Sequence, residues 1–369
     1  MTSSSFLHKT SSVLLGFFPA PQFMNPLAAA LDISESSVKY LSLVRKGNLL
    51  IPDEFVQVQL PAGVIKAGDV VKPDELTKVL KGLAVKHGAG EVYVSLPEEF
   101  AYIYPISVSA SQTPEQVKAA VEFSMSEHVP LPQQQVVFDS VTIPRVQGKA
   151  RYISVTAFDS KKSESYLEVV TRAGYTVRAL ETEVHAAVRA CVPDDAVGTV
   201  LVFDVGRTRT GITAVLNGVP ISTSTIEEGG KCTTEALLSI ADNDMVKAEA
   251  LKLQHGLRVS EVYPIVKPLL ETCLNDWATK IREYVHFLSE SHPTSEVPTP
   301  PISKIILCGG EAGVPGFSEW VASELHIPVE MGDVWHKLFK YDEYIPTISR
   351  PDSLRLATAA GLVLRNLNE

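Results

Sequence analysis

A chain of 369 residues can bury two sizeable hydrophobic cores and is long for one compact domain. With 45% apolar and 21% charged residues its composition is that of an ordinary globular protein. The net charge of −10, with no basic block, speaks against a nucleic-acid partner. Cys191, Cys232, Cys273 and Cys308 are widely spaced and form no CxxC pair, so buried thiols in a reducing cytoplasm are expected. The nine histidines show no metal-ligand spacing, and no G-x-S-x-G elbow is present.

At the N-terminus, the apolar run Val13 to Phe18 is too short for a membrane span, and Pro19 and Pro21 follow it. A flexible leader is expected there, with the folded part starting near Met24. Two strands around a turn are predicted over Leu27 to Gly47, and Glu54 to Leu60 alternates with the period of a strand. A helix over Lys72 to His87 carries Leu76, Val79, Leu80 and Leu83 on one face, and Glu91 to Leu96 reads as a strand. A small α+β module comes next: a strand from Ala101 to Val108, then a helix opening at Thr113-Pro114 and ending before Pro130. Strands over Gln135–Ile143 and Ala150–Ala157 and a helix from Lys161 to Ala173, closed by Gly174, complete it.

Tyr175 to Leu180 is then a strand and Thr182 to Cys191 a helix. The stretch Thr199-Val-Leu-Val-Phe-Asp204-Val-Gly206 runs into a tight turn and a second strand through Thr210. Thr233 to about Glu290 is helical and charge-rich, Ser291 to Pro301 is a proline-rich loop, and Lys304 to Leu307 is a strand.

The Asp204 turn is the most informative segment. Phosphate groups need close approach of backbone amides, which glycine permits, and hydroxyl donors; a magnesium ion is held through one or two carboxylates. Asp204, Gly206, Thr208 and Thr210 supply this set, although an Asp-x-Gly turn also forms for purely local reasons. A weaker copy upstream offers Asp32, Ser36, Ser37 and Lys39. Further glycine turns stand at Gly229-Gly230 and at Gly309-Gly310, after apolar strands.

In this order the segments resemble the actin-like nucleotide-binding superfamily, and within it the PilM family of type IV pilus assembly proteins. The resemblance runs from about Met24 to Arg365. It is carried by Glu127-His-Val-Pro130-Leu-Pro132 with Val136-Val-Phe-Asp139, by Ala173-Gly174-Tyr before Glu181-Thr-Glu183, by Gly230 to Ala236, by Ala248-Glu249-Ala-Leu-Lys252 with Gly256, and by Ile327 to Glu330. It implies an α/β, duplicated ribonuclease H-like fold with an α+β extra module and two domains flanking a nucleotide cleft. The expected division is a leader over 1–23, a first domain over 24–96 and 179–200, an inserted subdomain over 97–178, a second domain over 201–355, and a helix over 356–369 returning to the first. Helices Glu183 to Ala190 and Ala357 to Leu364 would meet under the cleft through small residues.

The resemblance also implies ATP and Mg2+ as ligands. Asp32 and Asp204 would face the metal, and Glu249, Lys252, Gly309 and Gly310 the adenosine side. Glu183 would orient the attacking water, a role that needs an acceptor near the terminal phosphate; as an acid in a helix first turn it is also what the macrodipole favours. Two departures weaken the nucleotide site: Ser34 stands where the family carries glycine, and Glu311 replaces a small residue. Slow or undetectable turnover is therefore expected. The implied role is a cytoplasmic scaffold at the inner face of the cell membrane, binding the cytoplasmic N-terminal peptide of a PilN-like inner-membrane protein, with pilus motor ATPases as further candidate partners and self-association open. An FtsA-like division scaffold is the neighbouring alternative, disfavoured by the lack of a C-terminal amphipathic helix; a sugar-kinase-type phosphotransferase would need a substrate-facing base that no motif provides.

Overall fold

The computed structural model describes residues 27–146, 150–290 and 297–367. The expected leader and most of the proline-rich loop lie outside them. In chain order, β1 (Ala29–Ile33), β2 (Ser37–Lys46) and β3 (Leu49–Gln59) form an antiparallel meander. A short hairpin of β4 (Ile65–Lys66) and β5 (Asp69–Val70) leads into α1 (Pro73–His87), after which β6 (Glu91–Leu96) lies parallel to β1. Next come β7 (Ala101–Ser109), α2 (Pro114–His128), β8 (Val136–Thr142) and β9 (Ala150–Asp159), whose strands make an antiparallel sheet in the order β7-β9-β8. The chain returns through α3 (Ser160–Arg172) to β10 (Thr176–Thr182), parallel to β6, and then α4 (Glu183–Cys191).

The second half repeats the plan. β11 (Thr199–Val205), β12 (Thr210–Leu216) and β13 (Val219–Ile226) form an antiparallel meander, followed by α5 (Gly230–Ala236), α6 (Met245–His255) and α7 (Val266–Glu290). β14 (Ile302–Cys308) pairs parallel with β11, and after α8 (Phe317–Leu325), β15 (Val329–Met331) pairs parallel with β14. Short α9 (Arg350–Ser353) and α10 (Ala357–Val363) end the chain's regular structure. The sheets run β3-β2-β1-β6-β10 and β13-β12-β11-β14-β15, with the same sequence of antiparallel and parallel pairings. This is the duplicated architecture that the sequence predicts.

The local reasons are ordinary. β11 is buried along nearly its whole length, as expected of a central strand with a parallel neighbour, and its sequence is an almost unbroken apolar run. Thr113 and Gln116 form a reciprocal capping box at the start of α2, with proline at the first helical position. The single helical region expected over 233–290 is broken twice. Asp242 and Asn243 adopt positive φ, Asp244 caps α6 from its side chain, and Gly256 closes it.

Packing reassigns one element. Tyr166, Val169 and Val170 of α3 are buried mainly with Leu76 and Leu80 of α1 on the first sheet, and meet the small module only at its end, through Phe158 of β9. The module has its own core of Tyr104, Ile106, Val121, Met125 and Val155. Between the halves, α4 and α10 lie backbone to backbone: a Cβ on Gly361 would fall 1.8 Å from the Ala186 carbonyl oxygen. The small residues of both helices serve this contact, as expected.

The cysteines depart from expectation. Cys191 and Cys308 are buried free thiols, but Cys232 on α5 and Cys273 on α7 are joined in a disulfide, with Cα atoms 6.2 Å apart. Their separation of 41 residues hides the pairing; it is the packing of α5 against α7 that creates it. Among the described residues no helix is long and apolar enough to cross a membrane.

Candidate functional site

The two Asp-bearing turns face each other. The β1–β2 turn, the β11–β12 turn, α6, the segment after β14 and the start of α10 line a cleft of about 330 Å³. Asp32, Ser36, Ser37 and Lys39 line it from the first turn, Asp204, Gly206 and Thr208 from the second. Glu183, Glu249, Lys252, Gly309 and Gly310 also reach it. Thr210, Gly229 and Gly230 do not. The Thr210 hydroxyl is fully buried, donating to the Glu228 carbonyl at 2.8 Å and accepting from Trp277 Nε1 at 2.9 Å. Gly229 and Gly230 pack under the β11–β12 turn, where the Gly230 amide donates to the Gly206 carbonyl at 3.0 Å.

Charge is dense here. Lys39 Nζ donates to Asp32 Oδ2 at 2.8 Å, and Asp32 is buried. Burial opposes the Lys39 ammonium, yet Asp32, Asp204 and Glu183 hold its pKa above the ordinary value. Asp204 is pushed up to about 6 by burial, with Glu98 and Asp32 adding to the shift and Lys39 opposing it. Lys252 is buried and donates to Thr234 Oγ1 and Glu311 Oε1, each at 2.9 Å, with Glu249 Oε2 at 3.0 Å. Burial raises the Glu311 carboxyl despite Lys252, whereas the Thr234 hydroxyl and Lys252 bring Glu249 below the usual range against the effect of burial.

Glu183 sits in the first turn of α4, whose N-cap is Thr182. It accepts the Glu98 amide at 3.0 Å and the Arg209 guanidinium at 2.6 Å. Burial and the carboxylates of Glu98, Asp32 and Asp204 raise its pKa well above the usual range. Arg209 also pairs with Glu99. Glu98 is buried and raised by that burial, and it accepts the Thr225 hydroxyl at 2.7 Å.

Several of these groups escape the sequence motifs. Glu35 lies in the first turn and accepts the Thr208 hydroxyl at 3.3 Å; its signal was an acid between serines where an anion is expected. Glu98 and Glu99 follow Pro97 and look like loop charges in sequence. Arg355 lines the cleft with its buried Nε lacking any hydrogen-bond partner.

The donor set fits a phosphate-bearing ligand in kind: hydroxyls, lysines, an arginine with an unsatisfied N–H and the exposed backbone of Gly310. A preformed metal cage is not part of it. Among the described residues no group of three or more His, Cys, Asp or Glu side chains is arranged to hold a metal ion.

A second depression, about 770 Å³, lies on the far side of α4. Val137 and Val141 of β8 are 47% and 45% exposed at its edge, and Leu96, Phe158, Leu180, Val188 and Val192 supply apolar walls. Arg145, Arg189, Lys337 and Arg365 bring positive charge, Asp139, Glu181 and Asp194 negative charge. His185 stands between Thr182 and Thr156 at 2.8 and 3.2 Å and is held below its usual pKa by burial.

Fold comparison agrees with this geometry. The chain is similar to the protein in a solved structure described as a PilM-PilN type IV pilus biogenesis complex, with a TM-score of 0.72 and 21% identity over 92% of this chain and 98% of that one. It is also similar to the ethanolamine utilization protein EutJ from Carboxydothermus hydrogenoformans, with a TM-score of 0.52 and 16% identity over 94% and 91% of the chains. MreB 5 of Spiroplasma citri bound to AMPPNP gives a TM-score of 0.51 and 10% identity over 93% and 97%. The fold is thus actin-like. A sequence profile for the type IV pilus assembly protein PilM matches residues 30–367, nearly all of the described chain. The chain belongs to the PilM family of type IV pilus assembly proteins.

Proposed function

We propose that this protein is a cytoplasmic, actin-like scaffold of a type IV pilus inner-membrane platform, and that its second groove takes the cytoplasmic N-terminal peptide of a PilN-like membrane protein. The carrying observation is the edge strand. Among the described residues, in the order β7-β9-β8, β8 pairs on one side only, and its other side borders the groove. An extended peptide that adds a strand there gains main-chain hydrogen bonds, while the apolar walls select its side chains. The relative described as a PilM-PilN complex favours the same class of partner. Attachment to the membrane would then be peripheral, through that partner.

The division into a first domain, an inserted subdomain and a second domain is part of this proposal, with α3 counted with the first domain because its buried face packs there. The cleft is proposed to hold a nucleotide as a conformational ligand. Thr208, Lys39 and Arg355 would meet phosphate, Glu249 and Lys252 the ribose side, and Asp32 and Asp204 a magnesium ion. That ion would offset phosphate charge in a cleft where carboxylates outnumber cations. Glu183 is held by Arg209 and by the Glu98 amide, so its carboxylate is already engaged and not free to orient an attacking water, and turnover is slow or absent.

Titration with a synthetic N-terminal PilN peptide from the same organism tests the groove. Wild type should bind it, and replacing both Val137 and Val141 by Asp should weaken binding at least about 100-fold, roughly 2.7 kcal/mol. Equal binding by the double variant, or none by wild type with or without Mg-ATP, refutes the assignment.

A further inference from the structure

Three sets of contacts join the two halves of the chain across the nucleotide cleft, and in each a carboxylate comes from the first half and the donor from the second. Glu35 on the β1–β2 turn accepts the hydroxyl of Thr208 on the β11–β12 turn at 3.3 Å. Glu183 accepts Arg209 at 2.6 Å, and Glu99 pairs with the same guanidinium. Glu98 accepts the hydroxyls of Thr225 and Thr223 on β13, at 2.7 and 3.4 Å. At the other end of the cleft Glu311 takes Lys252 at 2.9 Å, and its carboxylate fills the space over Gly230: a Cβ there would lie 1.7 Å from Glu311 Cδ.

Carboxylate oxygens accept the same charge-assisted hydrogen bonds as phosphate oxygens. The Thr208 hydroxyl and the Lys39, Arg209 and Lys252 cations are therefore already engaged by carboxylates of the chain, while Arg355 keeps an unpartnered Nε. The Arg209 cluster is also shielded from water, with side-chain exposures of 16% for Arg209, 12% for Glu183 and 18% for Glu99. Exchange of its partners is thus resisted more than at a surface pair.

We propose that Glu35, Glu98, Glu99 and Glu183 form an internal latch that holds the cleft closed without ligand, while Glu311, within the second half, stands in for the nucleotide at Lys252. This rests on the reading of the cleft as a nucleotide site. A nucleoside triphosphate then binds by displacing Glu35 from Thr208 and Glu311 from Lys252, against the repulsion of both carboxylates. Ligand occupancy becomes a competition between two sets of anions for one set of donors, and the closed state persists when the nucleotide is absent.

The test combines calorimetric titration of Mg-ATP with small-angle X-ray scattering. It uses the full chain, Glu35→Ala, Glu311→Ala and the double variant, each checked for an unchanged circular-dichroism spectrum. Glu35 is half-exposed on a turn, so its replacement leaves the cores intact. The latch requires at least tenfold tighter Mg-ATP binding by Glu35→Ala than by wild type, tighter binding still by the double variant, and an intermediate value for Glu35→Gln. It also requires that the radius of gyration of wild type be unchanged by Mg-ATP, while ligand-free Glu35→Ala expands and contracts on adding it. Wild type that binds as tightly as the variants, or that contracts on binding, overturns the latch and leaves the nucleotide reading standing. Absence of binding by every protein, at millimolar Mg-ATP, overturns both.

Discussion

The two depressions on either side of α4 differ in how far their polar groups are already satisfied. In the nucleotide cleft, Lys39, Arg209 and Lys252 each hold a carboxylate from the chain itself. In the groove beside β8, one strand edge has no partner among the described residues and two valines stand about half exposed. A site whose donors are internally paired gives a ligand little net free energy, because each new hydrogen bond replaces an old one. A site with an open edge and exposed apolar surface gives more. Under the proposed function the groove is the tight-binding site and the cleft the modulating one, with α4 bordering both: Glu183 on the cleft side, His185, Val188 and Arg189 on the groove side.

The contrast can be broken most completely at Gly361. Gly361→Val drives a side chain into the Ala186 backbone, where neither helix can retreat from the surrounding core. The expected loss is about 3 kcal/mol or more, read as a lower midpoint in urea, with peptide and nucleotide binding falling together. The Val137/Val141 double variant is the selective counterpart: peptide binding drops by about 2.7 kcal/mol while the Mg-ATP isotherm is unchanged. If both isotherms move, the two sites are not separable in the way the geometry implies.

A subtler probe is pH. Asp204 titrates near 6 in the folded chain against an ordinary value of 3.8, so the folded state binds more protons than the unfolded state between those values. Stability without ligand therefore falls as pH rises through that window and remains lower above it. Asp204→Asn should be more stable than wild type by about 3 kcal/mol at pH 7, with most of the advantage gone by about pH 4, while losing response to Mg-ATP. An advantage that is the same at both pH values would show that the carboxyl is not held up by its surroundings. The smallest effect belongs to the module that carries the groove edge. Thr113→Ala removes the capping box of α2 and should cost about 1 kcal/mol, seen as faster hydrogen exchange in α2 with the cleft unaffected.

Most strands and helices are legible in the sequence, because period-two runs such as Glu91 to Leu96 and amphipathic runs such as Pro73 to His87 carry their own signals. The Asp204 turn and its upstream copy were legible for a similar reason: an acid, small residues and apolar flanks sit within a few positions. The breaks in the helical region after Thr233 were harder, since Asp242 and Asn243 reach positive φ without a glycine to announce it. Thr210 illustrates the limit for site residues. By spacing it is a phosphate donor, but Trp277 brings its indole N–H to the hydroxyl from 67 positions away.

By itself the sequence determined the pair of Asp-bearing turns and most of the strands and helices around them, because these rest on residues that are neighbours in the chain; the duplicated plan and the close helices beneath the cleft followed from the family resemblance. Tertiary structure alone decided which charges meet. Glu35 reaches Thr208, Arg209 reaches Glu183 and Glu99, Lys252 reaches Glu311, and Cys232 reaches Cys273 only after the sheets and helices pack. Coulombic and hydrogen-bond energies depend on distance and burial, and for partners far apart in the chain both are set by the fold.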